Sequence, residues 1–236
     1  MGYMGYYGLG YGMHMDPLYL IVVIVSTVIG LAAQSYINST YKLWSKVKSD
    51  GMTGAEVARR MLDANGCQRV QIKGIGGHLT DNYNPADNSL YLSPDNLNGG
   101  SVASVAVACH EAGHAAQHEQ GYLMMKLRSA LVPVVNFTQN TWTIVLIAGI
   151  ALNLAGLTQL AIVFFAFSVL FQVVTLPVEI NASMRGVAYI EQAGMSRQQV
   201  EGAKKVLTAA ALTYVAAALS SILQLLYLLA RTQRDN

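Results

Sequence analysis

The chain has 236 residues, of which 53% are hydrophobic and only 12% charged, and its formal net charge is +2. This composition excludes an ordinary soluble domain, in which about a quarter of the residues are charged. The lipid bilayer is therefore an expected partner, no nucleic-acid partner is expected, and the sequence leaves the oligomeric state open.

The apolar residues are concentrated in three runs that contain no charged residue: 17–41, 129–178 and 206–230. A helix that spans a bilayer needs about 20 apolar residues. The first and third runs predict one span each, at 17–37 and 207–230. The middle run is too long for one helix and is interrupted at 153–159, so 129–178 is predicted to be a hairpin of two spans. The sequence therefore predicts a polytopic membrane protein with about four transmembrane helices.

The lysines and arginines predict the orientation of these spans. Except for Arg231 and Arg234 in the C-terminal tail at 231–236, they all lie in two polar segments, 38–128 and 179–206. Both segments are predicted to face the cytoplasm, although the two tail arginines argue the other way. Segment 1–16 is rich in Gly, Tyr and Met and lacks the basic region of a signal peptide, so the first span is expected to stay as an anchor.

The first polar segment is predicted to fold as a small α+β unit. Thr53 and Glu56 form a capping box that starts a helix. Segments 70–73 and 89–92 alternate as short strands do, and a loop rich in Gly, Asn and Pro separates them. Cys67 lies here, as does Cys109, and both are expected to be free thiols in a reducing cytoplasm.

A further helix is predicted at 101–120. Ser101 is a suitable N-cap, the residues that follow are small and apolar, and Gly121 stands where a helix end is expected. This helix carries the motif H-E-x-x-H as His110, Glu111 and His114.

The spacing of this motif points to zinc chemistry. Residues four apart lie on the same face of a helix, so His110 and His114 can bind one Zn²⁺ ion while Glu111 reaches an attacking water molecule. The alternative is a chance match on a solvated helix face. The small, apolar neighbours favour a buried site, and the motif therefore predicts a zinc hydrolase.

A catalytic zinc ion usually has three protein ligands. His118 lies on the same helix face, but about 12 Å of axial rise separates it from His110, which is too far for a shared ion. Glu179 follows Pro177 at the end of the third span and is predicted to start a helix over 179–191. It is the favoured third ligand, although an acidic residue at a helix start beside the membrane is also an ordinary feature.

Three segments carry a resemblance to a known family: HEAGHAAQ at 110–117, LPVEINAS at 176–183 and LTDNY at 79–83. Together they resemble the YugP-like family of bacterial membrane zinc metallopeptidases, which is related in plan to the HtpX and CAAX-protease group. The resemblance implies a mainly α, multi-pass enzyme of the bacterial inner membrane with a small α+β zincin-like (gluzincin) part. It also implies zinc held by the two motif histidines and a later glutamate, which maps to Glu179.

The chain departs from the broader group at one position. The later motif of that group is E-x-x-A-D, whose Asp orients a ligand histidine, and Ser183 stands in its place. A hydroxyl can still bind an imidazole N–H, and Asn181 or Asp81 could share this role. His118 is a further candidate to support the ligands rather than to bind the ion.

Peptide hydrolysis also needs a donor for the oxyanion. His78, Tyr83 and Arg185 are the candidates, and each has an ordinary alternative as a loop hydrogen bond or a headgroup contact.

The leading hypothesis is a zinc endopeptidase with Glu111 as general base, acting on peptides or membrane proteins. A catalytically silent zinc-binding scaffold is the alternative, although such a site has no use for Glu111. A transporter or channel is less favoured because the predicted spans contain no acidic or basic pair.

Overall fold

The computed structural model describes residues 16–49 and 51–234, so the predicted tail at 1–16 lies outside the described residues except for Asp16. The elements are α1 (Pro17–Trp44), α2 (Gly54–Ala64), β1 (Gln71–Gly74), β2 (Asn82–Asn84), β3 (Ser89–Leu92), α3 (Pro94–Leu97), α4 (Val102–Glu119), α5 (Leu123–Ala151), α6 (Ala155–Gln192) and α7 (Arg197–Arg234). The fold is mainly α with one small sheet, as predicted.

Four helices are long and apolar enough to cross a membrane: Pro17–Trp44, Leu123–Ala151, Ala155–Gln192 and Arg197–Thr232. Large apolar side chains on these helices point outward, including Val28 on α1 and Ile144 and Ile147 on α5. A large apolar surface on helices of this length is typical of contact with lipid. The predicted set of four spans is therefore confirmed at the level of helix length and composition, and the chain is a membrane protein.

The predicted hairpin in the middle apolar run is formed by α5 and α6. The chain reverses within three residues, where Asn153 adopts a left-handed conformation with φ of 52°. Aromatic rings then join the two helices: Phe137 lies 5.8 Å from Phe164, and Trp142 lies 4.9 Å from Phe165. These contacts hold the first half of α6 against the middle of α5.

The predicted new helix at Glu179 is wrong, because α6 continues without a break from Ala155 to Gln192. Pro177 lies inside the helix. A proline inside a helix removes one backbone N–H donor. The helix can continue past it where contacts with neighbouring helices stabilise the residues before and after the proline. The chain leaves the helix only near Gly194, which has a φ of 78°. Glu179 is therefore held on both sides by helix.

The sheet has the strand order β1-β3-β2. The two predicted strands pair in parallel as β1 and β3, and β2 was missed because Asn82–Asn84 lacks the alternation of a strand. This third strand pairs with β3 in antiparallel fashion, with Tyr83 opposite Leu90. The predicted capping box before α2 is confirmed, since Thr53 and Glu56 each bind the backbone of the other.

Helix α4 lies at the centre of the molecule and packs against α2, α6 and α7. It matches the predicted helix closely: the Ser101 side chain accepts a hydrogen bond from Ser104 N, and Gly121 follows the end with a φ of 66°. Where α4 meets α6, glycines allow close approach. A Cβ atom on Gly113 would lie 2.7 Å from the carbonyl oxygen of Ala182, and one on Gly186 would lie 3.2 Å from Cys109 C.

Candidate metal centre

The close contact between α4 and α6 brings three potential metal ligands together. His110 and His114 lie one turn apart on α4, and Glu179 reaches them from α6. The ligand atoms of these residues all lie within 4.8 Å of one another, so the group could hold a metal ion. The Glu179 side chain is only 2% exposed. A buried carboxylate facing two imidazoles is the donor set that Zn²⁺ prefers in catalytic sites.

One oxygen atom of Glu179 faces both imidazole rings. Its Oε2 lies 3.2 Å from His110 Nε2 and 3.5 Å from His114 Nε2. The two rings are 4.7 Å apart and nearly perpendicular. The three atoms Nε2, Nε2 and Oε2 thus converge on one point, and the residues fit a Zn²⁺ ion by donor type and by direction.

The other nitrogen atom of each imidazole has a partner of its own. His114 Nδ1 lies 3.0 Å from Gln117 Oε1, and the Gln117 amide group donates to Val178 O at 2.8 Å and to Asn181 Oδ1 at 3.0 Å. Because the amide nitrogen is committed to these two acceptors, Oε1 must accept the proton of His114 Nδ1. This network leaves the lone pair on His114 Nε2, the atom that faces Glu179.

His110 has a simpler partner. Its Nδ1 lies 3.1 Å from Ser183 Oγ, a contact that the sequence predicted for this serine. A serine hydroxyl accepts a hydrogen bond and so orients the ring, but it brings no negative charge.

Glu111 lies beside the ligand group and is 8% exposed. Burial raises the pKa of its carboxyl group, while the neighbouring His110 and His114 oppose that shift. A carboxylate with a raised pKa is a better proton acceptor at neutral pH than an exposed one.

Burial alone would lower the pKa of His114. The hydrogen bond to Glu179 and the negative charges of Glu111 and Glu179 outweigh burial, so the pKa of His114 is raised. The ligand group without a metal ion therefore attracts a proton, and a metal ion has to displace it.

Arg185 and Asn181, two further candidates, form an extension of the Gln117 network. Arg185 Nε donates to Asn181 Oδ1 at 2.8 Å, and Arg185 Nη1 donates to Gln120 Oε1 at 2.6 Å. These contacts place Arg185 among positioning groups on the far side of Gln117 rather than at the ligand atoms.

The remaining candidates lie elsewhere. His78 pairs with Asp95 at 3.2 Å, and the Tyr83 hydroxyl group binds His118 Nδ1 at 2.9 Å. The Asp81 carboxylate accepts hydrogen bonds from Ser93 and Asn96. The structure therefore does not bring His78, Tyr83, His118 or Asp81 to the ligand atoms.

Sequence reasoning missed three residues that lie next to the ligands. Gln117 could have been found, because it stands three residues after His114 on the same helix face. Arg128 of α5 lies 3.9 Å from Glu179 Oε1, and Tyr214 of α7 is close enough to Glu179 to interact with it. No local pattern marks these two residues, since they come from other helices.

The fold and the ligand group together define a class, the membrane metallopeptidases. Residues 19–233 match the family described as "Putative neutral zinc metallopeptidase", and the chain belongs to this family. It is also similar to the "Putative membrane protease YugP" of Bacillus subtilis (strain 168), with 42% identity over 211 residues that cover 89% of this chain and 94% of that protein. The resemblance to the YugP-like family is thereby confirmed. No solved structure matches the chain.

Proposed function

We propose that the protein is a membrane-embedded zinc endopeptidase in which His110, His114 and Glu179 hold the ion and Glu111 is the general base. The observation that carries this proposal is the convergence of the three ligand atoms within 4.8 Å. The family assignment and the protease name of the relative support the same reaction class.

A Zn²⁺ ion bound by these residues would supply a Lewis acid for the scissile carbonyl group and would favour ionisation of a water molecule. Glu111 accepts a proton from the attacking water molecule and donates it to the leaving amine when the C–N bond breaks. Gln117 and Ser183 hold the two imidazole rings so that each Nε2 faces Glu179 Oε2. The close contact between α4 and α6 keeps these groups in place.

The substrate proposal follows from position. The ligand group lies on α4 and on the second half of α6, next to the ends of apolar helices. Peptides near the bilayer and exposed segments of membrane proteins are therefore the proposed substrates. The distribution of Lys and Arg supports a site that faces the cytoplasm of a bacterial inner membrane, with the part at 38–128 as a zincin-like (gluzincin) unit.

The experiment compares the purified wild-type protein with Glu111→Gln on two substrates, an unfolded protein and a membrane-anchored reporter, with bound zinc measured in both samples. The expected result is about one zinc ion per chain in both and cleavage by the wild type alone. Zinc in both samples without cleavage by either favours the silent scaffold. Equal cleavage by both contradicts the role of Glu111.

A histidine control separates the ligands from other histidines of the same helix. His118→Gln changes a residue that binds Tyr83 and lies outside the ligand group, so zinc content and cleavage should stay at wild-type levels. His114→Gln should lose both. A similar loss in the two variants would mean that zinc binding depends on the fold of α4 rather than on His114 as a ligand.

A further inference from the structure

Arg128 lies on the side of Glu179 that faces away from the imidazole rings. Glu179 Oε2 faces His110 and His114, whereas Oε1 lies 3.9 Å from Arg128 Nη1. Arg128 comes from the first turns of α5, so a second apolar helix contributes to the surroundings of the ligand group. A distance of 3.9 Å is too long for a hydrogen bond. The guanidinium group therefore lies beside the carboxylate but donates no hydrogen bond to it.

The donors of Arg128 have no acceptor among the residues that the structure describes, and Nε is buried. A guanidinium group has five N–H donors, and a buried donor without a partner costs about 1–3 kcal/mol. Arg59 and Arg185 differ in this respect. Arg59 donates to Asp63, Val70 O and Cys67 O, and Arg185 donates to Asn181 and Gln120.

An arginine near the end of a membrane helix commonly extends toward the headgroups. Arg128 does not follow that pattern, because its side chain is only 29% exposed and its guanidinium carbon lies 5.9 Å from the centre of the Phe171 ring of α6. The aromatic ring holds the guanidinium group against α6, next to Glu179. A charged group with unused donors is thus fixed at the edge of the ligand group.

We propose that Arg128 donates hydrogen bonds to the oxyanion that forms on the scissile carbonyl group, an inference that rests on the peptidase function proposed above. When water adds to the carbonyl carbon, the π electron pair moves to the oxygen atom and Glu111 takes the proton of the water. The guanidinium group binds this negative oxygen and transfers no proton. The electron pair then returns, the C–N bond breaks, and the proton held by Glu111 goes to the amine.

The physical reason is electrostatic. A fixed donor in a water-poor site stabilises charge that exists only in the transition state, and loss of one such donor costs about 10²- to 10³-fold in kcat. The three donors expected from sequence, His78, Tyr83 and Arg185, are all engaged elsewhere. Arg128 lies beside Glu179, and among the described residues its buried Nε has no hydrogen-bond partner.

The test uses the full-length protein in detergent with Arg128→Met and Arg128→Lys. Zinc affinity is measured by chelator competition, and kcat and KM are measured on a cleaved peptide. Two inhibitors of that sequence are compared: a phosphinic peptide, which carries a negative tetrahedral oxygen, and a reduced-amide peptide, which has no carbonyl oxygen. The matched control is Lys126→Met, which removes the same charge from an exposed position two residues away.

For Arg128→Met we expect unchanged zinc affinity, a small change in KM, and kcat lower by about 10²- to 10³-fold. The inhibition constant of the phosphinic peptide should rise by the same factor, while that of the reduced-amide peptide should stay constant. Arg128→Lys should recover part of kcat, because it keeps the charge but loses the planar donor group. If Arg128→Met does not fold, the same pattern with smaller factors in Arg128→Lys carries the test.

Two results would overturn this inference. One is a loss of activity that follows a loss of zinc affinity, which would make Arg128 a positioning residue for Glu179. The other is unchanged binding of the phosphinic peptide in either variant. A failure of the proposed peptidase function would be seen in a different comparison. In that case the wild type and Glu111→Gln would cleave equally, or neither would cleave.

Discussion

The two halves of α6 are stabilised in different ways. In the first half, 155–177, apolar side chains such as Val163 and Leu170 face outward, and aromatic rings pack against α5. In the second half, 178–192, Glu179 is buried, and backbone and side-chain groups bind α4 directly. Apolar packing against lipid depends on area and tolerates exchange of similar side chains, whereas the contact with α4 depends on distance and direction. The same helix is thus an apolar candidate span in one half and a wall of the candidate metal centre in the other.

The largest effect is expected at the ligand itself. Glu179→Gln keeps the shape of the side chain but removes the negative charge that faces His110 and His114, so stoichiometric zinc and peptide cleavage should both be lost. Metal analysis of the purified protein measures this. Glu191→Gln, at an exposed position of the same half of α6, is the control and should keep wild-type zinc. Full zinc in Glu179→Gln would remove Glu179 from the ligand set.

A smaller effect is expected from the network that orients His114. Gln117→Leu keeps the size of the residue but removes its bonds to His114, Val178 and Asn181, so zinc affinity should fall about 10- to 100-fold. Chelator competition measures the affinity. The control is Gln172→Leu, the same exchange in the first half of α6, and it should leave zinc affinity unchanged. A similar decrease in zinc affinity in the two variants would mean that the hydrogen bonds of Gln117 to the second half of α6 are not needed for zinc binding.

The smallest effect is expected from the packing of the two helices. Gly113→Ala would place a Cβ atom 2.7 Å from Ala182 O, which forces α4 and α6 apart. Overpacking of this kind costs about 1–3 kcal/mol in the free energy of unfolding. For a chain of this size each kcal/mol lowers Tm by about 2–4 °C. Thermal unfolding in detergent measures the change.

The control for Gly113→Ala is Gly156→Ala, at the start of α6 and away from α4. A Cβ atom on Gly156 would meet nothing within 4 Å, so Gly156→Ala should leave Tm unchanged or raise it slightly. If Gly113→Ala were as stable as Gly156→Ala, the close approach of α4 and α6 would not be needed for stability.

Local patterns in the sequence were sufficient to predict α2, α4, the four apolar spans and the motif. The cap at Ser101, the capping box of Thr53 and the apolar runs each act within a few residues, and the structure confirms the elements that they predict. The helix break at Pro177 was predicted by the same local reasoning and is wrong. There the contacts of Glu179 and Val178 with α4 override the preference of a single proline.

The surroundings of the ligands were harder to predict because they depend on which helices meet. Ser183 was expected to bind a ligand histidine because the family motif has an orienting residue at that position, and it contacts His110. Arg128 and Tyr214 come from helices whose sequences contain no periodic signal that points to Glu179. Strand β2 was also missed, since its three residues are defined by pairing with β3 rather than by their own pattern.

The contact between the first and last membrane helices determines when the bundle can be completed during synthesis. The Tyr227 hydroxyl group of α7 donates to Asp16 at the start of α1 at 2.9 Å, and the rings of Tyr19 and Tyr227 lie 5.2 Å apart. Asp16 and Tyr227 are separated by 211 positions in the chain. Contacts between distant positions form late, because the whole intervening chain has to be ordered first. The helix that leaves the ribosome first therefore waits for the last one, and a chain that stops before α7 leaves one face of α1 without its protein neighbour.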